Sequence, residues 1–250
     1  MLEEGKRSMR FAILACAALL LGQLGGGEPR EGSADYRGQV VFTRIRYGAS
    51  ADAFAYFGGR STWSHDYPRA DLHLSRLLSE ITTIDANVSS TNVLTLDDPE
   101  LFRHPIAYIS EPGFWTVSDE DAARLRNYLL KGGFLIFDDF EHEQWHNFEA
   151  QMMRVVPDHR LVELDVSHPI FRSFFEMRTI DFPHPLVNVM PSYFGIFEDN
   201  DPEKRLMAIV NYNNDIAEYW EWSDAGWFPI EITNEAYKLG INYMVYALTH

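Results

Sequence analysis

A helix, two glycines, a short apolar strand and two aspartates follow one another between residues 118 and 139, and this block constrains the fold more than any other stretch. Ser118 stands in an N-cap position with Asp121 three residues on, and Asp119, Glu120 and Asp121 put negative charge at the positive end of the helix dipole. Ala122, Leu125 and Leu129 recur at helical spacing, Tyr128 widens the stripe, and Gly132 and Gly133 supply the stop. The continuous apolar run Phe134 to Phe137 then reads as a strand buried on both faces of a parallel sheet. Asp138 and Asp139 fall at its carboxyl end, the edge at which open α/β sheets bind ligands. These two acids are the leading site candidates.

The rest of the chain repeats the alternation. Gln39 to Tyr47 reads as a first strand. Leu74, Leu77, Leu78 and Ile81 predict a helix over about residues 69 to 83. Further strands are expected near 93–96, 106–110, 161–164, 193–197 and 205–212, and helices near 148–156 and from about Asn234 onward. The sum is one α/β domain over residues 39–250, with a mostly parallel sheet, helices on both faces and Phe134 to Phe137 in its middle. Gly240 predicts close packing of the last helix on a strand, and residues 211–222 read as a polar and aromatic exit loop.

Lys6, Arg7 and Arg10 precede the apolar run Phe11 to Leu21, and glycines follow it. Residues 1–27 therefore read as an export signal or an uncleaved anchor, residues 28–38 as a linker, and the domain as periplasmic or secreted. Cys16 lies inside that signal, so the exported domain carries no thiol and neither disulfides nor thiolate chemistry is expected of it. A formal net charge of -16 argues against nucleic acid and against anionic lipid as partners, and no membrane contact beyond the N-terminal segment is expected.

Three other strand exits bring polar and aromatic groups to the edge of Asp138. The first-strand exit loop carries Trp63, His65, Asp66 and Tyr67, the 106–110 exit carries Glu111, and the 205–212 exit carries Asn213, Asp215 and Trp222. The aromatics either cover the sheet edge or face a ligand; in the second case the rim suits a small polar ligand or a protein partner in the cell envelope. Converging carboxylates repel, and Arg46 is the expected neutraliser. His142-Glu-Gln-Trp-His146 matches a zinc-protease pattern literally, but its flanks are acidic and aromatic and no third ligand is evident, so a protease is disfavoured. Asp138, Asp139, Glu141, His142 and His146 could instead hold a divalent metal, against the alternative of a solvated rim in which Asp138 caps the following helix.

Asp97-Asp-Pro-Glu-Leu-Phe102, the block from Ser118 to Asp139, His168-Pro-Ile-Phe171 and Ala236 to Asn242 together resemble an exported bacterial family of domains of unknown function, number 4159. The resemblance covers nearly all of residues 39–250. That family is similar to the class I glutamine-amidotransferase-like superfamily, near the ThuA-like proteins, which implies a flavodoxin-like sheet but no activity. The superfamily's nucleophilic cysteine is replaced here by Asp138 or Asp139. A carboxylate is a far weaker nucleophile and its acyl-enzyme would be an anhydride, so amide transfer is disfavoured. Two readings stand: a non-catalytic ligand-binding or envelope-assembly module, or a hydrolase using Asp138 or Asp139 with His168 as partner. Apart from a divalent metal, no cofactor is expected.

Overall fold

Phe134, Leu135, Ile136 and Phe137 alternate between two hydrophobic cores, and the rest of the fold is layered outward from them. The computed structural model describes residues 38–49, 53 and 58–250; the segments expected to be an export signal and, but for its last residue, a linker lie outside the described residues. Among these the strands are β1 (Thr43–Ile45), β2 (Gly48–Ala49), β3 (Asn92–Leu94), β4 (Ile106–Ser110), β5 (Trp115–Thr116), β6 (Phe134–Asp138), β7 (Val162–Leu164), β8 (Ser192–Phe197) and β9 (Leu206–Tyr212). The α-helices are α1 (Arg69–Ile81), α2 (Asp119–Leu130), α3 (Gln144–Val155), α4 (Ile216–Glu221) and α5 (Ile230–Thr249).

Seven strands form the main sheet in the order β3-β1-β4-β6-β9-β8-β7. Pairing is parallel from β3 through β9, and only β8 runs against its neighbours. The expected mostly parallel α/β sheet is therefore present, with β6 at its centre. Strands β2 and β5 make a separate antiparallel pair inside segments the sequence reads as loop.

Helix α2 begins as its sequence requires, with the Ser118 hydroxyl accepting from the Asp121 amide at 3.0 Å. It ends where Gly132 takes φ 105°, a conformation that costs a residue with a Cβ. The Leu125 and Leu129 stripe of α2 and Phe148, Met152 and Val155 of α3 pack on the face of Leu135 and Phe137. Leu74 and Leu78 of α1, Ile216 and Trp220 of α4, and Leu239 and Tyr243 of α5 cover the opposite face, that of Phe134 and Ile136. No helix among the described residues is long and apolar enough to cross a membrane.

Two local expectations are corrected. Residues 216–221 are helical rather than an exit loop, because Asp215 caps them through Oδ1 to the Glu218 amide and Asp138 accepts from the Ile216 and Ala217 amides. Nothing adjacent in sequence announces the second of these. Gly240 packs on helices, not on a strand: a Cβ there would stand 2.5 Å from the Trp220 ring and 2.9 Å from Leu74. Gly240→Ala should therefore destabilise the domain by about 1–3 kcal/mol through overpacking, despite alanine's better helix propensity of about 1 kcal/mol. Urea unfolding of the two proteins measures the difference, and a more stable alanine variant would show that α4 and α5 can part without cost.

Candidate metal centre at the carboxyl edge

Arg44 puts a charge into the fully buried stretch from Val41 to Ile45, and it builds the first wall of the site. Its guanidinium is buried in β1, where Nε donates to both Asp71 oxygens at 2.9 and 3.0 Å and Nη2 lies 2.8 Å from Oδ1. Nη1 donates to the carbonyls of Trp63 at 3.1 Å and His65 at 2.6 Å. Arg44 thus ties α1 to the turn before it and fixes where His65 and Asp66 emerge. The guanidinium also lies 4.8 Å from the Tyr108 ring centroid on β4.

The two aspartates at the end of β6 have opposite fates. Asp138 turns into the protein and accepts from the Tyr108 hydroxyl at 2.8 Å, the Asn211 amide at 3.0 Å and the backbone of Ile216 and Ala217. Burial, then the neighbouring charge of Asp139, push its carboxyl up to about 7 against those donors. A group so enclosed joins strands to α4 and is poorly placed as a nucleophile. Asp139, one residue on, adopts φ 66° and turns to the edge. Its Oδ2 lies 2.7 Å from His65 Nδ1 and accepts from the Ser110 hydroxyl at 3.1 Å. Burial opposes its ionisation, but the charge and hydrogen bond of His65 hold the carboxyl below its usual range. His65 responds in kind: burial disfavours its cation, yet Asp139 and Asp66 raise it to about 11.

Asp66 and Asp215 complete the cluster. One ligand atom each from His65, Asp66, Asp139 and Asp215 can be chosen so that all lie within 4.8 Å of one another. Asp66, like Asp139, has a left-handed backbone, with φ 62°, a conformation that costs about 1–3 kcal/mol outside glycine. Its side chain is 0% exposed; Oδ1 lies 3.5 Å from His65 Nδ1, an ion-pair distance, but neither carboxyl oxygen accepts a hydrogen bond among the described residues. Asp215 leaves Oδ2 equally unpartnered, while Oδ1 caps α4. Burial, with Asp139 close by, raises both carboxyls well above the ordinary range. A cation would reverse that shift by favouring the ionised forms. One imidazole with three carboxylates suits manganese, iron or zinc, and its oxygen-rich character also admits magnesium.

Around this centre stand Glu111, whose burial and closeness to Asp139 raise its carboxyl, and the buried His184. His184 Nδ1 accepts from the Leu186 and Val187 amides, which leaves Nε2 as the N–H, 3.8 Å from Glu141 and without a hydrogen bond among the described residues.

Several sequence candidates lie elsewhere. Arg46 is not at the acid cluster: it lines a cavity of about 690 Å³ with Trp63, Asp97, Asp121 and Arg124, and the buried cation of β1 is Arg44. His168 sits 5.7 Å from Phe197 and 6.1 Å from Tyr246, whose ring is 6.1 Å from Phe134 at the amino end of β6. It is therefore at the opposite sheet edge from Asp138 and cannot pair with it. His142 has φ 49° and precedes α3, so His142 and His146 do not share a helical face. His146 instead pairs at 3.1 Å with Glu143, both largely exposed. Glu141 hydrogen-bonds Gln144, and Asn213 accepts the His142 amide. Tyr67 packs 5.9 Å from Trp63, and Trp222 stacks 3.9 Å from Trp227 with Arg69 over it. Sequence reasoning placed His65 in the exit loop at this edge without naming it as a ligand, and passed over Arg44 and His184. Arg44 left a signal, as a charge in a strand stretch that is otherwise buried.

Two variants test this construction. Arg44→Met strands Asp71 as an uncompensated buried charge and should cost about 3–5 kcal/mol, much of it recovered when Asp71→Leu is added. Chemical denaturation of the single and double variants checks this; a double variant no better than the single would reject it. Burial holds His184 below its ordinary value of 6.5, so the unfolded chain takes up that proton first and stability should fall as the pH drops below about 6.5. His184→Asn keeps an acceptor for the two amides without the titration. Urea unfolding at about pH 7.5 and pH 5 should show a smaller acid loss in the variant than in the wild type.

The profile of a family described as a domain of unknown function, DUF4159, matches residues 41–248. No curated protein matches the chain. The matched span contains the whole seven-stranded sheet and every residue of the acid cluster. The chain belongs to the DUF4159 family.

Proposed function

We propose that this domain binds a divalent cation through His65, Asp66, Asp139 and Asp215 and uses it to hold a small polar, oxygen-bearing ligand at the carboxyl edge of the sheet. In this reading it is a ligand-binding domain of the cell envelope, exported by its N-terminal segment. The observation that carries the reading is Asp66, a fully buried carboxylate with no hydrogen-bond donor among the described residues, set beside two further acids. A buried carboxylate without donors is costly unless it is protonated or bound to a cation. The strand order β3-β1-β4-β6 supports a flavodoxin-like relationship to the amidotransferase-like superfamily, since the order in which strands are added reverses between the parallel neighbours β1 and β4, where such sheets open a crevice.

Hydrolysis is the second reading, favoured by the left-handed Asp139 at the strand exit beside His65. In it, a held cation would lower the pKa of a bound water and a nearby carboxylate would take its proton.

Metal-stripped full-length protein should be stabilised by manganese, zinc, magnesium or calcium, by about 2.7 kcal/mol at one hundred times the dissociation constant. Asp66→Asn should abolish the response. Thermal unfolding with and without each ion measures it, and indifference of the wild type to all four would reject the cation. Ester, phosphoester and glycoside substrates separate the two readings: turnover that requires the ion and disappears in Asp139→Asn establishes the hydrolase.

A further inference from the structure

Asp66 belongs to two groups of ligand atoms. Besides its set with His65, Asp139 and Asp215, it forms a second with Glu218 and Glu221, again with one oxygen from each within 4.8 Å of the others. Helix α4 arranges both sets. Asp215, its N-cap, spends Oδ1 on the Glu218 amide and leaves Oδ2 for the first set. Glu218 and Glu221 lie three residues apart, hence on one helical face, and serve the second.

The two Asp66 oxygens carry the inference. Both are buried and neither accepts a hydrogen bond among the described residues. The nearest cation, His65 Nδ1, stands 3.5 Å from Oδ1 and is hydrogen-bonded to Asp139, so a single ion bound to one oxygen would leave the other without a hydrogen bond. The charge balance points the same way, because Asp66, Asp139, Asp215, Glu218 and Glu221 are five carboxylates in two groups that share Asp66. One dication leaves most of that charge uncompensated, whereas two nearly cancel it.

We propose that the centre holds two divalent cations bridged by the Asp66 carboxylate, one completed by His65, Asp139 and Asp215 and the other by Glu218 and Glu221. This rests on the cation-binding reading above. Ions sharing a ligand in two-metal sites stand about 3.5–4 Å apart, a separation that one carboxylate can span. Glu221 is half-buried, so the second ion faces solvent and is the more exchangeable. Two adjacent dications favour a ligand with two oxygens on one centre, so a phosphate or phosphoester group is the ligand class the pair selects.

Manganese provides the test. Metal-stripped full-length protein is titrated with Mn²⁺, bound metal is counted by elemental analysis after dialysis, and spin coupling is read by electron paramagnetic resonance. Two ions per chain with an exchange-coupled signal are expected in the wild type. Glu221→Gln, a nearly isosteric change, should hold one ion with an uncoupled six-line spectrum and unchanged circular dichroism. Asp66→Asn should lose the coupling altogether. One ion in the wild type, retained in Glu221→Gln, overturns the pair and leaves the single-cation reading intact. Two uncoupled ions, or two ions surviving in Glu221→Gln, also overturn the pair. No bound manganese overturns the pair, and the single-cation reading then rests on the other ions of the stability test. With the pair established, inorganic phosphate should perturb the coupled spectrum, and a spectrum indifferent to phosphate would remove the phosphate assignment.

Discussion

A guanidinium inside a parallel sheet must be paired, and the pairing of Arg44 organises the carboxyl edge. Asp71 supplies the countercharge from the first turns of α1, and the carbonyls of Trp63 and His65 take a remaining N–H. One side chain thereby fixes the strand, the helix that follows it and the loop between them. The polar row continues across the same sheet face, from Arg44 over the Tyr108 ring, through the Tyr108 hydroxyl to Asp138, from Asp138 to Asn211, and on to the Tyr243 hydroxyl at 2.9 Å. Each member satisfies the next, which is what lets so many polar groups lie under α4 and α5.

Asp138 shows how this row shapes the site without entering it. By accepting the amides of Ile216 and Ala217 it sets the start of α4, and so the positions of Asp215, Glu218 and Glu221. Its neighbour Asp139 escapes the row only because the backbone turns left-handed at the strand end. Asp66 and Glu111 turn in the same sense at two other exits. Three acids in a conformation that disfavours side chains, at one edge, are backbone cost concentrated where charge is concentrated. Stability has been given up there for the placement of carboxylates.

That placement explains why the acids repel one another and yet persist. His65 compensates Asp139, and Arg44 is engaged by Asp71, so nothing among the described residues donates a hydrogen bond to the Asp66 carboxylate. Protons or cations must supply the difference. Protons leave a pocket of neutral carboxylic acids lacking partners, and cations leave a bound, structured centre able to take further oxygen ligands.

The local signals of the sequence were sufficient for the layers. The Ser118 cap, the apolar stripe of α2, its glycine stop and the apolar run of β6 each depend on neighbours within a few residues, so the central strand and its mostly parallel surroundings were legible. Asp66, Asp139 and Asp215 could be assigned to one edge for the same reason, since each follows a strand. Which of them meet, and through what, could not be read. The partner of Asp139 is His65, 74 positions away, and the second acid that holds the start of α4, beside its N-cap Asp215, is Asp138, 78 positions before Ile216, while the local pattern favoured His142 and His146. His168 matched a motif but stands at the far end of the sheet. Sequence by itself determined the layers of the main sheet and the edge at which a site would lie, though not α4 or the β2-β5 pair, because hydrophobic period and capping are local. Only the tertiary structure decided which side chains converge there, because the order of strands and the burial of Arg44 are set by contacts between segments far apart in the chain.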